Sequence, residues 1–351
     1  MRFLLYPIML VYTLVLKIRH IMYNWNIFRT ESFHLPVICI GNLSFGGTGK
    51  TPLIEYITQL LNEEFKVAIL SRGYGRKTKG FRLAGKTDTF EQIGDEPKQY
   101  TRKFDQVTVA VDEKRVHGIH ELLKQSPKPE VILLDDAFQH RAVEAGLNIL
   151  LSDYHQLYPD DYLFPVGRLR DVHSAAKRAD IIIVTKTPKV PSPFIFRKLR
   201  EIIKPKSYQK LFFSYITYGN LLPVIPTKGF MIPKSIGTII LFCGIANPYP
   251  LEDHLRKKCN QLILFDYPDH HAFQEKDIQS ILNQYNNLIG KNKIIVTTEK
   301  DAMRLTDSPY LRQFDGIPLF YAPITVSFHE EDNLNFDQEI IQYVRKNRAN
   351  N

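Results

Sequence analysis

PVICIGNLSFGGTGKTP, residues 36–52, runs from a β-branched stretch into a glycine-rich turn and places Lys50-Thr51 where a helix should begin. That order of strand, loop and helix builds a phosphate cradle. Gly46, Gly47 and Gly49 let backbone N–H groups turn inward, Lys50 neutralises phosphate charge, and the Thr51 hydroxyl is a ligand type suited to Mg²⁺. The strict pattern has glycine at position 44, where this chain has Ser44. The amphipathic LIEYITQLL that follows still supports the assignment. Ser44, Phe45, Gly46, Gly47, Thr48, Gly49, Lys50 and Thr51 are therefore the expected nucleotide-binding loop, with a lean to ATP.

Strand-like and helical runs alternate outward from this loop. Strands are expected over Val37–Ile40, Lys66–Leu70, Gln106–Val111, Val131–Leu134, Leu147–Leu151 and Ile181–Thr185, with helices near 51–63, 96–104, 112–124 and 195–203. This pattern predicts an α/β fold of the phosphate-loop NTPase type, a mainly parallel sheet with helices on both faces. Prolines punctuate the next stretch, and alternation resumes at Thr238–Phe242, ending in a helix near 336–346. The expected organisation is an N-terminal helix (1–30), a phosphate-loop domain (31–207), a linker (208–235) and a smaller α/β domain (236–351).

With 351 residues, 44% hydrophobic and 12% aromatic, the chain can bury two cores, and disorder is excluded. Cys39, Cys243 and Cys259 are too few and too scattered for a disulfide framework or a zinc site. The net charge of +9 favours an anionic partner. The basic residues are dispersed and match no nucleic-acid module, so no nucleic-acid partner is expected, and no obligate protein partner is evident.

FLLYPIMLVYTLVL (3–16) is almost wholly apolar. As a helix it reaches only about 21 Å, against a hydrocarbon core of about 30 Å. Thr13, Lys17, His20 and Asn24 share one stripe, and Val11, Val15, Ile18, Met22 and Trp25 share the opposite one. Basic residues dominate the first 35 positions. A helix lying in a membrane surface is expected; the alternative is a first helix packed on the protein's own core.

Glu130-Val-Ile-Leu-Leu-Asp135-Asp136 ends an apolar strand in two carboxylates. In phosphate-loop proteins such a strand lies beside the loop and its Asp holds Mg²⁺. His140 adds a donor for phosphate. SRGYGRK (71–77) offers Arg72 and Arg76 to an anionic substrate, and a basic surface turn explains it nearly as well. GDEP (94–97) reads on its own as a helix start. DYPDHHAF (266–273) gathers Asp266, Asp269, His270 and His271, a set that suits a metal or acid–base role. TKTP (185–188) lacks the Asp that reads guanine in GTPases.

GNLSFGGTGKTP (41–52), SRGYGRK, GDEP, DDAFQHR (135–141), VGRLRD (166–171), CGIANP (243–248), FDYPDHHAF (265–273) and TEKDA (298–302), in that order, resemble the tetraacyldisaccharide 4′-kinases of lipid A biosynthesis. The resemblance implies an enzyme at the cytoplasmic face of the bacterial inner membrane. It would transfer the γ-phosphate of ATP, with Mg²⁺, to the 4′-hydroxyl of a tetraacyl glucosamine disaccharide 1-phosphate. It also implies Asp95 as the base and His270 as its partner. Asp171, with Thr51, Asp135 and Asp136, would be a metal ligand. Arg170, with Arg72, Arg76 and His140, would contact phosphates. Two rivals are a membrane-surface switch ATPase, whose early loop lysine is Phe45 here, and a metal-dependent phosphohydrolase using the Asp and His clusters.

Overall fold

The computed structural model describes residues 2–225, 232–269, 271–290 and 292–348. His270, expected beside Asp95, lies outside the described residues.

The helices in chain order are α1 (Tyr6–Asn24), α2 (Lys50–Asn62), α3 (Phe90–Ile93), α4 (Asp95–Lys103), α5 (Arg115–Leu123), α6 (Pro193–Ile203), α7 (Tyr249–Arg256), α8 (Glu275–Asn287), α9 (Glu299–Leu305) and α10 (Glu330–Arg348). The strands are β1 (Glu31–Ser32), β2 (Val37–Asn42), β3 (Val67–Ser71), β4 (Arg82–Leu83), β5 (Thr108–Val111), β6 (Val131–Asp135), β7 (Val143–Glu144) and β8 (Leu147–Asp153). They continue with β9 (Ile181–Thr185), β10 (Lys210–Tyr218), β11 (Leu222–Pro223), β12 (Ile236–Cys243), β13 (Cys259–Asp266), β14 (Lys293–Thr298), β15 (Leu319–Ala322) and β16 (Ile324–Phe328).

A nine-stranded sheet runs β16-β10-β9-β8-β2-β6-β3-β5-β4, parallel except at its two edges. Its inner strands are buried on both faces, which is why they read as unbroken apolar runs. Period two divides them: Val37 and Cys39 enter one core, and Ile38 and Ile40 enter the other, beneath α2. A second sheet runs β11-β15-β14-β12-β13, parallel except for β11, with its own cores on both faces.

The expected boundaries need correction. The segment 208–235, expected as a linker, holds β10, which pairs in parallel with β9 and antiparallel with β16. Its Leu211, Phe212 and Phe213 are buried, a payload that belongs inside a sheet. Residues 236–351 do not form one unit either. After β15 the chain returns: β16 closes the edge of the large sheet, and Phe336, Ile340 and Val344 of α10 pack in the core shared with α2. The spacing of those three at i, i+4 and i+8 puts them on one helical face.

The N-terminal helix is not a detached unit. Leu16 is buried and Tyr12 and Met9 pack on the large sheet's core. Its polar stripe is partly engaged with the protein: His20 Nε2 sits 2.6 Å from Asp171 Oδ1, and Arg141 donates to the Asn24 side chain at 2.7 Å, while Lys17 is exposed. The apolar stripe faces out, with Ile8, Val11, Leu14, Val15, Ile18 and Trp25 exposed. No helix among the described residues is long and apolar enough to cross a membrane.

A buried charge network joins helices of the two sheets. Lys103 of α4 donates to Glu55 of α2 at 2.5 Å and to Glu299 of α9 at 3.4 Å. Burial, with Glu299 nearby, outweighs Lys103 and pushes Glu55 up to about 7. A carboxyl raised in the folded state binds its proton more tightly there than when unfolded, so its stabilising contribution is lost as pH rises from about 4.5 through about 7. Glu55→Gln should therefore gain stability relative to the native chain as pH goes from 5 to 8. Denaturant unfolding of both proteins across that range checks it; a difference that stays flat or falls contradicts the account.

Candidate active site

The phosphate loop leaves the C-terminal end of β2, at the centre of the large sheet. Gly49, with φ +86°, caps α2, and Gly46 has φ +105°; both conformations are cheap only for glycine. The loop is braced from below. The Asn42 side-chain amide donates to the Thr48 hydroxyl at 2.8 Å, and Lys50 Nζ donates to Asn42 Oδ1 at 3.4 Å. Thr185 donates to the Thr48 carbonyl at 2.8 Å, and Lys186 donates to the Gly47 carbonyl. TKTP thus reads no base here; it supports the loop. Phe45 N–H donates to Arg168 O at 2.8 Å and Ser44 bridges Leu169, lacing the loop to segment 162–171.

The register Ile40↔Asp135 sets the carboxylate end of β6 beside the loop. Asp135 is buried and accepts from the Ser71 hydroxyl at 3.0 Å and the Tyr100 hydroxyl at 3.4 Å. Tyr100 also hydrogen-bonds with the Thr51 side chain, so Thr51 and Asp135 converge on one hydroxyl. Burial, then Glu96 and Asp136, pushes Asp135 up to about 6. A buried carboxyl among other acids is short of positive charge, and a cation held by Thr51 and Asp135 would supply it. Such a Mg²⁺ site needs few protein ligands, the rest being water and phosphate oxygens. Among the described residues no group of three or more His, Cys, Asp or Glu is arranged to hold a metal.

Asp136 is just past the strand, in a left-handed conformation at φ +48°. Arg170 grips both its oxygens, and Lys50 Nζ is 3.7 Å away. Burial opposes its charge, yet Lys50 and Arg170 outweigh burial and bring it down to about 2. Asp136 therefore orients Lys50 and Arg170, and of the two adjacent acids Asp135 is the better placed for a metal.

Two expected roles are corrected, those of Asp171 and Arg76. Both oxygens of Asp171 are occupied, by His20 and the Val172 N–H on one side and by Arg178 at 3.1 Å on the other, so it anchors α1 and is not available to a metal. Arg76 donates to Glu113 at 2.6 Å and to Gly80 O at 2.8 Å, pinning its own turn; Arg72 is exposed. His140 is pushed down to about 4 by burial with Arg115 and Arg72 nearby, so at neutral pH it is an uncharged ring.

Asp95 opens α4, and both it and the loop lie at the C-terminal edge of the parallel sheet. Gly94 before it has φ +92°, and a Cβ there would meet Gly73 and Tyr74 backbone at 3.0 Å; glycine lets the 71–77 turn close on the helix start. Arg304 of α9 reaches across from the second sheet. Its Nε and Nη2 donate to Asp95 Oδ2 at 3.0 and 2.5 Å, while Nη1 donates to Asp301 at 3.0 Å. Asp95, Arg304, Tyr74, Asp269 and His271 line a cleft of about 790 Å³ between the sheets. His271 is engaged with Asp277 at 2.8 Å and stacked on Tyr267.

Sequence reasoning missed Arg304, Asn42 and Arg115. Arg304 sits three residues after Asp301, a helical ion-pair spacing that was legible in TEKDAMR. Asn42 is the last residue of β2, where only its neighbours in space reveal its bracing role. Arg115 is buried behind Asp135, donating to its carbonyl at 3.1 Å.

Comparison with known proteins gives the family. Residues 1–344 match the family described as Tetraacyldisaccharide-1-P 4'-kinase. The Tetraacyldisaccharide 4'-kinase of Bacteroides thetaiotaomicron is 45% identical over 99% of this chain and 94% of its own length. That of Flavobacterium johnsoniae is 43% identical, over 99% and 98%. The crystal structure of LpxK from Aquifex aeolicus in complex with ATP superposes with a TM-score of 0.73 at 27% identity, covering 98% of this chain and 99% of that one. Matched along nearly its whole length by the family and by these relatives, this chain belongs to the tetraacyldisaccharide-1-P 4'-kinase family.

Proposed function

We propose that this protein transfers the γ-phosphoryl group of ATP to the 4′-hydroxyl of a tetraacyl glucosamine disaccharide 1-phosphate, a step of lipid A biosynthesis, at the cytoplasmic face of the inner membrane. The observation that carries this reading is the joint placement of the Lys50 loop and the Asp95 carboxylate at one sheet edge, with Asp95 held by an arginine from the second sheet.

The loop N–H groups and Lys50 hold the phosphates and offset charge as it spreads over the transferring group. Thr51 and Asp135 would hold Mg²⁺, which neutralises phosphate charge when bound. The acceptor oxygen forms its bond to the γ-phosphorus, the bond from that phosphorus to the ADP oxygen breaks, and the hydroxyl proton passes to Asp95. Arg304, donating to Oδ2 of Asp95, keeps the carboxylate oriented. Because Arg304 and Asp95 come from different sheets, the base is set only when the two sheets are correctly apposed, which limits idle hydrolysis of ATP. Arg72 and His140 are the proposed contacts to substrate phosphates. ADP release should require the lipid disaccharide; release at the same rate without acceptor would favour a switch ATPase instead.

The outward apolar stripe of α1 supports a protein that lies on the membrane, with its acceptor drawn from the bilayer. Removing α1 would also strip His20 from Asp171, so point changes are the cleaner test. Leu14→Glu with Ile18→Glu should abolish cosedimentation with anionic vesicles while ATP binding persists. Undiminished cosedimentation would refute the placement.

A further inference from the structure

The outward face of α1 does not end with the helix. Phe45, Tyr162 and Phe164 are 51%, 56% and 52% exposed, unusual for large aromatic rings. Phe164 stands edge-on to Tyr12 of α1, with ring centroids 6.5 Å apart, and edge-on to Phe45 at 5.8 Å. An apolar strip therefore runs from α1 through segment 162–164 to the tip of the phosphate loop. It is backed by the backbone: Phe164 N–H donates to Leu169 O at 2.8 Å, Phe45 N–H to Arg168 O, and Arg170 N–H to Leu43 O at 2.7 Å.

Charge says what the strip meets. Segments 1–30, 43–49 and 162–170 contain Arg2, Lys17, Arg19, Arg29, Arg168 and Arg170 and no Asp or Glu, with exposed Asp160 just outside the third. An aromatic and aliphatic surface with an excess of cations along its edge suits an anionic lipid interface. Gly46 and Gly47, next to Phe45, have no atom of the described residues within 4 Å of where a Cβ would stand.

We propose that the anionic bilayer surface that receives α1 also receives the phosphate loop, with Phe45 and Phe164 seated among the headgroups and upper acyl chains. The inference rests on the reading that α1 lies on the membrane. Anchoring Phe45 then restrains the loop tip, so nucleotide is gripped more firmly by membrane-bound protein than by protein in solution.

The chain has a single tryptophan, Trp25, which allows the two readings to be separated. Phe164→Trp and Phe45→Trp are each placed in a Trp25→Phe background and mixed with phosphatidylglycerol-containing vesicles whose lipids are brominated near the headgroup. Emission from position 164 and from position 45 should fall about twofold, as should that of Trp25 in the native chain. Quenching of Trp25 with either of the other two positions unquenched would overturn this inference and leave the α1 reading intact. No quenching at any position would overturn both. Concentration-dependent dimerisation that protects position 164 without vesicles would assign the strip to a second copy of the chain and also overturn the inference.

Discussion

Asp95→Asn will lower phosphoryl transfer by about 10²–10⁴-fold, with ATP affinity nearly unchanged. The amide is close to isosteric with the carboxylate but cannot take up the acceptor's proton. The nucleotide phosphates are held elsewhere, by the loop and Lys50, so their binding should not register the change. Arg304→Ala should give a smaller loss, because it removes the group that orients the carboxylate and leaves the carboxylate itself. Combining the two should cost much less than the product of the single losses, since residues acting as one unit are non-additive. Single-turnover rates for the four proteins decide it. Losses that multiply would separate Arg304 from the base.

Lys50→Ala will reduce turnover by about 10²–10³-fold or more, the scale on which removing one preorganised charge from a transition state acts. Its ammonium is held by Asn42 and faces Asp136 at 3.7 Å, so the charge is already aimed before substrate arrives. Lys50 is half-buried at the first position of α2, and its truncation should leave the fold intact by circular dichroism. Near-native kcat in this variant would rule out the phosphate-loop mechanism.

What the sequence made legible was local. GGTGKT after a β-branched run marks its strand, loop and helix within a dozen residues, and VILLDD marks a strand ending in acids, because periodicity and glycine placement act over short distances. The family resemblance then supplied the meaning of GDEP, which spacing alone reads as a helix start. The parts that stayed hidden depend on pairing between distant segments. The register Ser214↔Phe328 returns the C-terminal region to the large sheet, and no local pattern in KLFFSYITY distinguishes a ninth strand from a linker strand. Arg304 meets Asp95 across 209 positions. Asp171 looked like a phosphate-site acid until His20 and Arg178 were found on its oxygens, a contact that exists only because α1 folds back on the sheet. The partly engaged polar stripe of α1 has the same origin: amphipathicity was visible, but which face meets protein was not.

The central claim is that the γ-phosphoryl group passes to lipid. Purified full-length protein incubated with γ-labelled ATP, Mg²⁺ and the tetraacyl disaccharide 1-phosphate in mixed micelles tests it directly. The account predicts one label per acceptor, recovered in the lipid as a monoester at the 4′ position and lost in Asp95→Asn. Label recovered only as inorganic phosphate, at a rate indifferent to acceptor, would contradict it.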